Sequence, residues 1–195
     1  LANGRYLGIG MSNFVKGTGR GPFEQVTVRI GPSGKVHVYT GGVNIGQGTH
    51  TMLAQIVGEQ LGADMNNVTL VGGDTHATAL GIGTSNSRLA VVAGTSAHVA
   101  AVKVREKALK VASQLLEASQ EDLEIIDGDV VVRGTDMRIS LGDVANAVAG
   151  TPGYALPEGT EPGLEATENV VLDNLAFANG TNVIEVEVDP DTGGV

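Results

Sequence analysis

One stretch of the chain, from about Ser85 to Ala118, contains no proline and only one glycine, Gly94. Apolar residues recur along it at helical spacing and form a single stripe: Leu89, Val92, Ala93, Ala97, Ala100, Val104, Ala108, Leu109, Ala112, Leu115 and Leu116. A segment with this length and period predicts one long helix that is buried along one side. The residues near Gly94 are small, which suits close packing of this helix against another helix or a sheet. The rest of the chain must therefore supply the elements that cover the stripe.

Short segments with a period of two surround the predicted helix. Residues 25–30 and 35–40 alternate and are separated by Gly31-Pro-Ser-Gly34, which predicts a β-hairpin. Further strands are expected at 5–15, 67–71, 123–126, 130–133, 137–139, 167–172 and 181–188. Shorter helices are expected from about Gln47 to a C-cap at Gly62 and over 141–148, with a helical turn at 119–122 and an exposed loop over 150–165. With no steady βαβ alternation, these elements indicate an α+β fold. Mixed or antiparallel sheet hairpins would pack with one long helix and shorter helices.

Composition excludes several classes of function. The net charge of −10 over 195 residues argues against a nucleic-acid-binding or anionic-membrane surface. The chain has no cysteine, so it cannot form its own disulfide, zinc–thiolate or iron–sulfur site. No apolar run approaches the roughly 20 residues of a membrane span, and no signal peptide is visible. A cytoplasmic protein is the expectation.

Both ends of the sequence suggest a piece of a longer polypeptide. The first residue is Leu1, and the last predicted strand runs into a turn, Asp189-Pro-Asp-Thr-Gly193, with no return strand after it. We therefore expect residues 1–195 to be one part of a larger domain that is truncated at both ends.

The segment Gly46-Gln-Gly48 lies where a predicted strand meets a predicted helix. First-turn N–H groups of a helix lack internal partners, and the helix dipole adds partial positive charge there. Glycines allow an anionic ligand to approach those groups, and the Gln47 amide adds a donor and an acceptor. The alternative is a tight turn with Gln47 in water.

A second polar cluster, Gly81-Ile-Gly-Thr-Ser-Asn-Ser-Arg88, precedes the long helix. Thr84 and the three residues after it all favour helix caps, yet one helix needs one cap. Backbone N–H groups, hydroxyls and a guanidinium suit a phosphate. Two helix starts of this kind could converge on one elongated polyanion. Elsewhere, Arg20 and Glu24 flank a rigid turn, and we expect a structural ion pair between them.

Several motifs occur together in the order seen in one enzyme family. They are 13–24 (NFVKGTGRGPFE), 46–48 (GQG), 73–75 (GDT), 81–88 (GIGTSNSR) and 186–193 (VEVDPDTG). The chain resembles, over nearly its whole length, large subunits of the xanthine oxidase family of molybdenum hydroxylases. The pattern is most similar to subunits of the aerobic carbon monoxide dehydrogenase type.

The resemblance implies a cofactor, molybdopterin cytosine dinucleotide carrying molybdenum, whose pyrophosphate suits helix starts and glycines. It implies that Gln47 lies at the molybdenum end and that residues 84–89 hold the cofactor by hydrogen bonds, with no direct protein ligand to the metal. The implied cofactor-binding residues are Gly46, Gln47, Gly48, Thr84, Asn86, Ser87, Arg88 and Leu89.

The resemblance also implies an oxidoreductase that hydroxylates or oxidises a small substrate with water as oxygen source. FAD and [2Fe-2S] centres would be on partner subunits or domains of an oligomeric parent. The family's glutamate base belongs to a later Gly-Glu motif, expected beyond Val195, so the isolated chain should be inactive. The alternative is a non-catalytic structural or assembly domain whose glycine loops are only turns.

Overall fold

The computed structural model describes Leu1 and residues 3–195, which form two compact units. The first unit comprises Leu1–Thr18 and Leu175–Val195, and the second comprises Gly19–Asn174. The strands are β1 (Tyr6–Thr18), β2 (Val26–Ile30), β3 (Val36–Thr40), β4 (Val68–Gly72), β5 (Leu123–Ile126), β6 (Asp129–Val132), β7 (Arg138–Ser140), β8 (Leu164–Glu168) and β9 (Ala176–Val188). The helices are α1 (Thr49–Leu61), α2 (Leu89–Leu115) and α3 (Leu141–Ala147), with 3-10 turns at Met65–Asn67 and Gln120–Asp122.

The first unit is a two-stranded antiparallel ribbon. β1 pairs with β9 from Tyr6 opposite Val188 to Thr18 opposite Ala176. Both strands were expected, but their pairing was not, because their sequences are at opposite ends of the chain. The expected turn after β9 is present. The Asp189 carboxylate accepts hydrogen bonds from two backbone N–H groups of this turn, Asp191 (2.9 Å) and Thr192 (3.3 Å). These N–H groups, Asp191 first, lower the pKa of Asp189.

The second unit is built on a four-stranded sheet in the order β4-β3-β2-β8. The predicted hairpin of β2 and β3 is confirmed, with Val26 opposite Thr40. Alternate residues of both strands are buried, which places one face of the sheet on the core. The last strand of the sheet starts earlier than the expected 167–172. Buried Leu164 pairs with buried Ile30, so β2 sets the register of β8.

Strands β3 and β4 are parallel, and α1 connects them. This single βαβ unit was not predicted. Left-handed glycines flank its helix: Gly48 (φ 79°) precedes α1, and Gly62 (φ 54°) is the C-cap that the sequence predicted. Because the two strands are parallel neighbours, the loops that follow them leave the sheet at the same edge.

Helix α2 is the long element that the sequence predicted, although it begins at Leu89 rather than near Ser85. It contacts β2, β8 and α1. Its small residues allow close packing, since a β-carbon at Gly94 would lie 3.3 Å from Ile56 Cδ1 of α1 and 3.7 Å from Met52 Sδ. The stripe of small and apolar residues therefore forms the centre of the core.

The remaining elements form a three-stranded antiparallel sheet, β5-β6-β7, followed by α3. Ser140 caps α3, because its hydroxyl oxygen accepts the Asp143 N–H at 3.0 Å. Three helices together with mixed and antiparallel sheets in the described residues confirm the α+β class. No helix in the described part of the chain combines the length and apolar character needed to cross a membrane.

Candidate functional site

Both glycine-rich segments singled out in the sequence follow the parallel strands. Residues 41–48, the β3–α1 loop, leave β3, and residues 73–88, the β4–α2 loop, leave β4. Thr40 and Gly72 are paired at the ends of these strands, and the Gly73 N–H donates to the Thr40 carbonyl at 3.0 Å. A β-carbon at Gly72 would collide with the Gly42 carbonyl oxygen, so backbone packs on backbone here. The sheet topology thus brings together two motifs that are far apart in sequence.

Val43 joins the two loops through its peptide groups. The Thr84 hydroxyl donates to the Val43 carbonyl at 2.6 Å and accepts the Val43 N–H at 2.8 Å. The Gln47 amide donates to the same carbonyl at 3.0 Å, and its oxygen accepts the Ile45 N–H at 2.6 Å. Gln47 and Thr84, predicted separately as binding residues, therefore meet at one peptide. Gln47 thus makes both of these hydrogen bonds within its own loop, and the residue is exposed.

The backbone before α2 is strained. Asn86 (φ 45°) and Ser87 (φ 52°) are consecutive non-glycine residues in the left-handed region. Such a residue costs roughly 1–2 kcal/mol. The N-cap position is Arg88, whose side chain makes no capping hydrogen bond to α2. Four polar residues in a row before one helix exceed what a single cap requires.

The side chain of Arg88 is inside the protein, 1% exposed. Its Nε donates to the Arg20 carbonyl at 2.7 Å. Its Nη1 donates to Glu24 Oε2 at 2.5 Å and to the Gly83 carbonyl at 2.7 Å. Its Nη2 donates to the Phe23 carbonyl at 2.5 Å. The expected ion pair between Arg20 and Glu24 is wrong. Glu24 pairs with Arg88, and Arg20 contributes only its carbonyl. The guanidinium predicted to face a phosphate is instead used by the protein.

Leu89 is also directed inward, at 5% exposure. A β-carbon at Gly42 would lie 2.7 Å from Leu89 Cδ2, so this side chain packs against the β3–α1 loop. By contrast, Gly46, Gln47, Asn86 and Ser87 are exposed. The predicted site residues thus divide into buried supports and an exposed rim.

Around the start of α1 the backbone is open. Gly46 (φ 99°) and Gly48 (φ 79°) have no atom within 4 Å of the position a β-carbon would take, apart from their chain neighbours. Thr49, the first residue of α1, is 2% exposed, and its hydroxyl has no hydrogen-bond partner among the described residues. The N–H groups at the start of α1 are neutral donors, which suit an anionic ligand.

A cavity of about 230 Å³ opens between the two loops. Gly41 lines it from one loop, and residues 73–75, 78–79 and 81–83 line it from the other. Thr78 is one of these lining residues, and its buried hydroxyl has no partner within the part of the chain that is described. The lining therefore includes a residue whose polar group the protein leaves unsatisfied.

Comparison with known proteins identifies what such loops belong to. Residues 2–195 match the family model described as "Molybdopterin cofactor-binding domain". The chain is 40% identical to the 6-hydroxypseudooxynicotine dehydrogenase complex subunit gamma of Paenarthrobacter nicotinovorans, over 99% of this chain and 24% of the relative. It is 32% identical to the carbon monoxide dehydrogenase large chain of Hydrogenophaga pseudoflava, over 96% and 24%. The crystal structure of quinoline 2-oxidoreductase from Pseudomonas putida 86 superposes with a TM-score of 0.79 at 36% identity, over 99% of this chain and 26% of that one.

The fold and loops therefore define a molybdopterin cofactor-binding domain. The chain belongs to the xanthine oxidase family of molybdenum hydroxylases, as the sequence motifs implied. It spans about a quarter of the length of the curated relatives that it matches.

Proposed function

We propose that the β3–α1 and β4–α2 loops together hold molybdopterin cytosine dinucleotide carrying molybdenum. Gln47, with Gly46 and Gly48, would lie at the molybdenum end, and residues 84–89 would anchor the dinucleotide end. The observation that carries this proposal is the joint at Val43, where the side chains of Gln47 and Thr84 meet. The family match supplies the cofactor class, and the hydrogen bonds at Val43 support the proposal that the two distant motifs form one site.

The groups at the loops fit a pyrophosphate. Two glycines leave the backbone before α1 open, and the buried Thr49 hydroxyl lacks a partner among the described residues. Helix starts stabilise anions through N–H groups and the helix dipole without a positively charged side chain. This matters because Arg88, the one arginine of the two segments, is engaged inside the protein. In this proposal Arg88 and Leu89 support the β4–α2 loop from inside the protein. Thr84, Asn86 and Ser87 are the residues of that loop that would contact the ligand.

In the protein that contains this chain, the bound cofactor would supply the oxidation of a small substrate, with water as the oxygen source. The residues of this chain bind and orient the cofactor. The glutamate base, the FAD and the [2Fe-2S] centres would come from the rest of the large subunit and from partner subunits in a cytoplasmic assembly. The chain by itself would then be inactive.

A nuclear magnetic resonance titration with pyrophosphate and with CDP tests the binding proposal. Amides of 46–48 and 84–89 should shift together and saturate with one affinity. Gln47→Ala should weaken binding, whereas Gln55→Ala, which removes an exposed amide on α1, should not. Saturable shifts elsewhere, with these two segments unchanged, would support a structural or assembly domain instead.

The cofactor form needs a second measurement. The protein containing residues 1–195, produced in a host that makes the molybdenum cofactor, should contain molybdenum and cytosine nucleotide in equal amounts. Guanine nucleotide, or no nucleotide, beside a full molybdenum content would refute the cytosine dinucleotide assignment.

A further inference from the structure

We propose that Glu24 is a positioning residue for the β4–α2 loop. Its buried carboxylate sets the backbone shape that residues 84–89 present. The importance of that shape for a ligand rests on the proposed function, whereas the shape itself is a property of this chain.

One oxygen of this carboxylate accepts hydrogen bonds from residues on both sides of the polar run 84–87. Glu24 is 0% exposed. Its Oε2 accepts the Ile82 N–H (3.1 Å), the Gly83 N–H (3.1 Å) and Arg88 Nη1 (2.5 Å). The residues between Gly83 and Arg88 are therefore held at both ends by a single atom. Fixing both ends of so short a segment restricts the backbone conformations that it can adopt.

The other oxygen, Oε1, lies between the two loops. A β-carbon at Gly41 would be 2.6 Å from it, and a β-carbon at Gly81 would be 3.1 Å from it. No N–H or O–H group of the described residues reaches this oxygen. Glycine Cα–H groups can form weak contacts with a carboxylate oxygen at such places. Glycine on both sides thus leaves room for the carboxylate where the β3–α1 loop meets the β4–α2 loop.

The ion pair also connects the site to the segment before β2. Arg88 donates to the carbonyls of Arg20 and Phe23, which stand shortly before Glu24 in sequence. Strained residues such as Asn86 and Ser87 persist only where the surrounding contacts over-determine them. Glu24 and Arg88 provide those contacts here. Without them, we expect these two residues to leave the left-handed region.

A purely structural ion pair makes a different prediction from a positioning residue. Replacing both members of a buried pair by apolar residues of similar volume is often neutral or stabilising, whereas removing one member leaves an uncompensated charge. If the ion pair is only structural, the double replacement preserves its function. If Glu24 positions the loop, the double replacement does not, because the Ile82 and Gly83 N–H groups lose their acceptor.

The test compares the wild-type chain with the double variant Glu24→Met/Arg88→Met. Three quantities are measured: the urea midpoint, the hydrogen exchange of the Ile82 and Gly83 amides, and the affinity for pyrophosphate. Glu165→Gln is the matched control, because Glu165 forms an exposed carboxylate–guanidinium pair with Arg29. We expect the double variant to remain folded, with a urea midpoint lowered by the loss of the two amide hydrogen bonds, to exchange the two amides roughly tenfold faster, and to bind pyrophosphate about tenfold more weakly.

A double variant that retains both the exchange protection and the affinity would overturn the proposal. If that variant does not fold, Glu24→Asp decides instead, since it keeps the charge opposite Arg88 but shortens the side chain, which withdraws the carboxylate from the Ile82 and Gly83 N–H groups. It should accelerate exchange of the same amides, and unchanged exchange would likewise overturn the proposal. A wild-type chain that does not bind pyrophosphate counts against the proposed function, while the amide exchange still decides the role of Glu24.

Discussion

The Thr84→Val substitution removes the hydrogen bonds between the two loops at Val43 and leaves the side-chain volume almost unchanged. Valine keeps the shape of threonine but replaces the hydroxyl with a methyl group. The substitution deletes both hydrogen bonds to Val43, at 2.6 and 2.8 Å, and leaves the Gln47 bond to the Val43 carbonyl in place. Among the described residues, Thr84 is the only side chain of the β4–α2 loop that hydrogen-bonds to Val43, so the variant removes the side-chain hydrogen bonds that join the two loops there.

The expected loss follows from the hydrogen bonds. A typical intramolecular hydrogen bond contributes about 1 kcal/mol net, so two contribute about 2 kcal/mol. Val43 is 41% exposed, so water can replace part of this and the loss should be about 1–2 kcal/mol. That energy corresponds to a factor of roughly 5–30 in an equilibrium constant. Ligand affinity should fall by up to the same factor, because apparent affinity scales with the population of the competent loop arrangement.

The assay is a pyrophosphate titration together with urea unfolding. Thr135→Val is the matched control. Its hydroxyl likewise donates to a carbonyl, that of Val132 (2.9 Å), and accepts an N–H, that of Met137 (3.1 Å), in a turn outside the site. The control should change stability by a similar amount and leave affinity unchanged. Binding of pyrophosphate by Thr84→Val as tightly as by the wild type, or an equal loss of affinity in both variants, would contradict the proposed role of Thr84 in holding the two loops together.

Three further predictions concern the scaffold. Gly48→Ala should lower the free energy of unfolding by about 1–2 kcal/mol, because alanine is strained in the left-handed backbone conformation of Gly48. Gly31 has an ordinary φ and open space around it, so Gly31→Ala should change the free energy of unfolding little in the same thermal unfolding measurement. Leu53→Ala should cost about 2–5 kcal/mol in urea unfolding because the side chain is 0% exposed in the core, and a loss below 1 kcal/mol would contradict that packing. The folded pKa of Asp189 lies below its ordinary value of 3.8, so its contribution to the turn is present above that pH and is lost as the pH falls through the folded pKa. The Asp191 amide shift should follow this titration, and Asp189→Asn should abolish it.

Most of the elements could be predicted from local patterns. The long helix, the β2–β3 hairpin, the Gly62 C-cap and the three short strands from 123 to 140 each depend on residues close together in sequence. The bounds of β8 could not be predicted in this way. The 167–172 segment contains the apolar run 170–172, but pairing with β2 places the strand at Leu164–Glu168.

For the site, the motifs indicated which segments matter but not what each side chain does. Glycines beside polar residues at two helix starts predict an anion-binding site, which stays a prediction, whereas the comparisons bear out the family that the motifs imply. Their spacing did not reveal that Gln47 would brace its own loop or that Leu89 would pack against Gly42. Both outcomes depend on which atoms the fold brings within contact distance.

The sequence by itself determined the class of fold, the family and the two glycine-rich segments, because periodicity, turn residues and motifs are local properties. The tertiary structure decided that β3 and β4 are parallel neighbours, which places both loops at one edge of the sheet. It also paired Arg88 with Glu24, 64 residues away, rather than leaving either for a ligand or for Arg20. A buried charge requires a partner in space, and only the folded chain determines which residue is near enough to provide it.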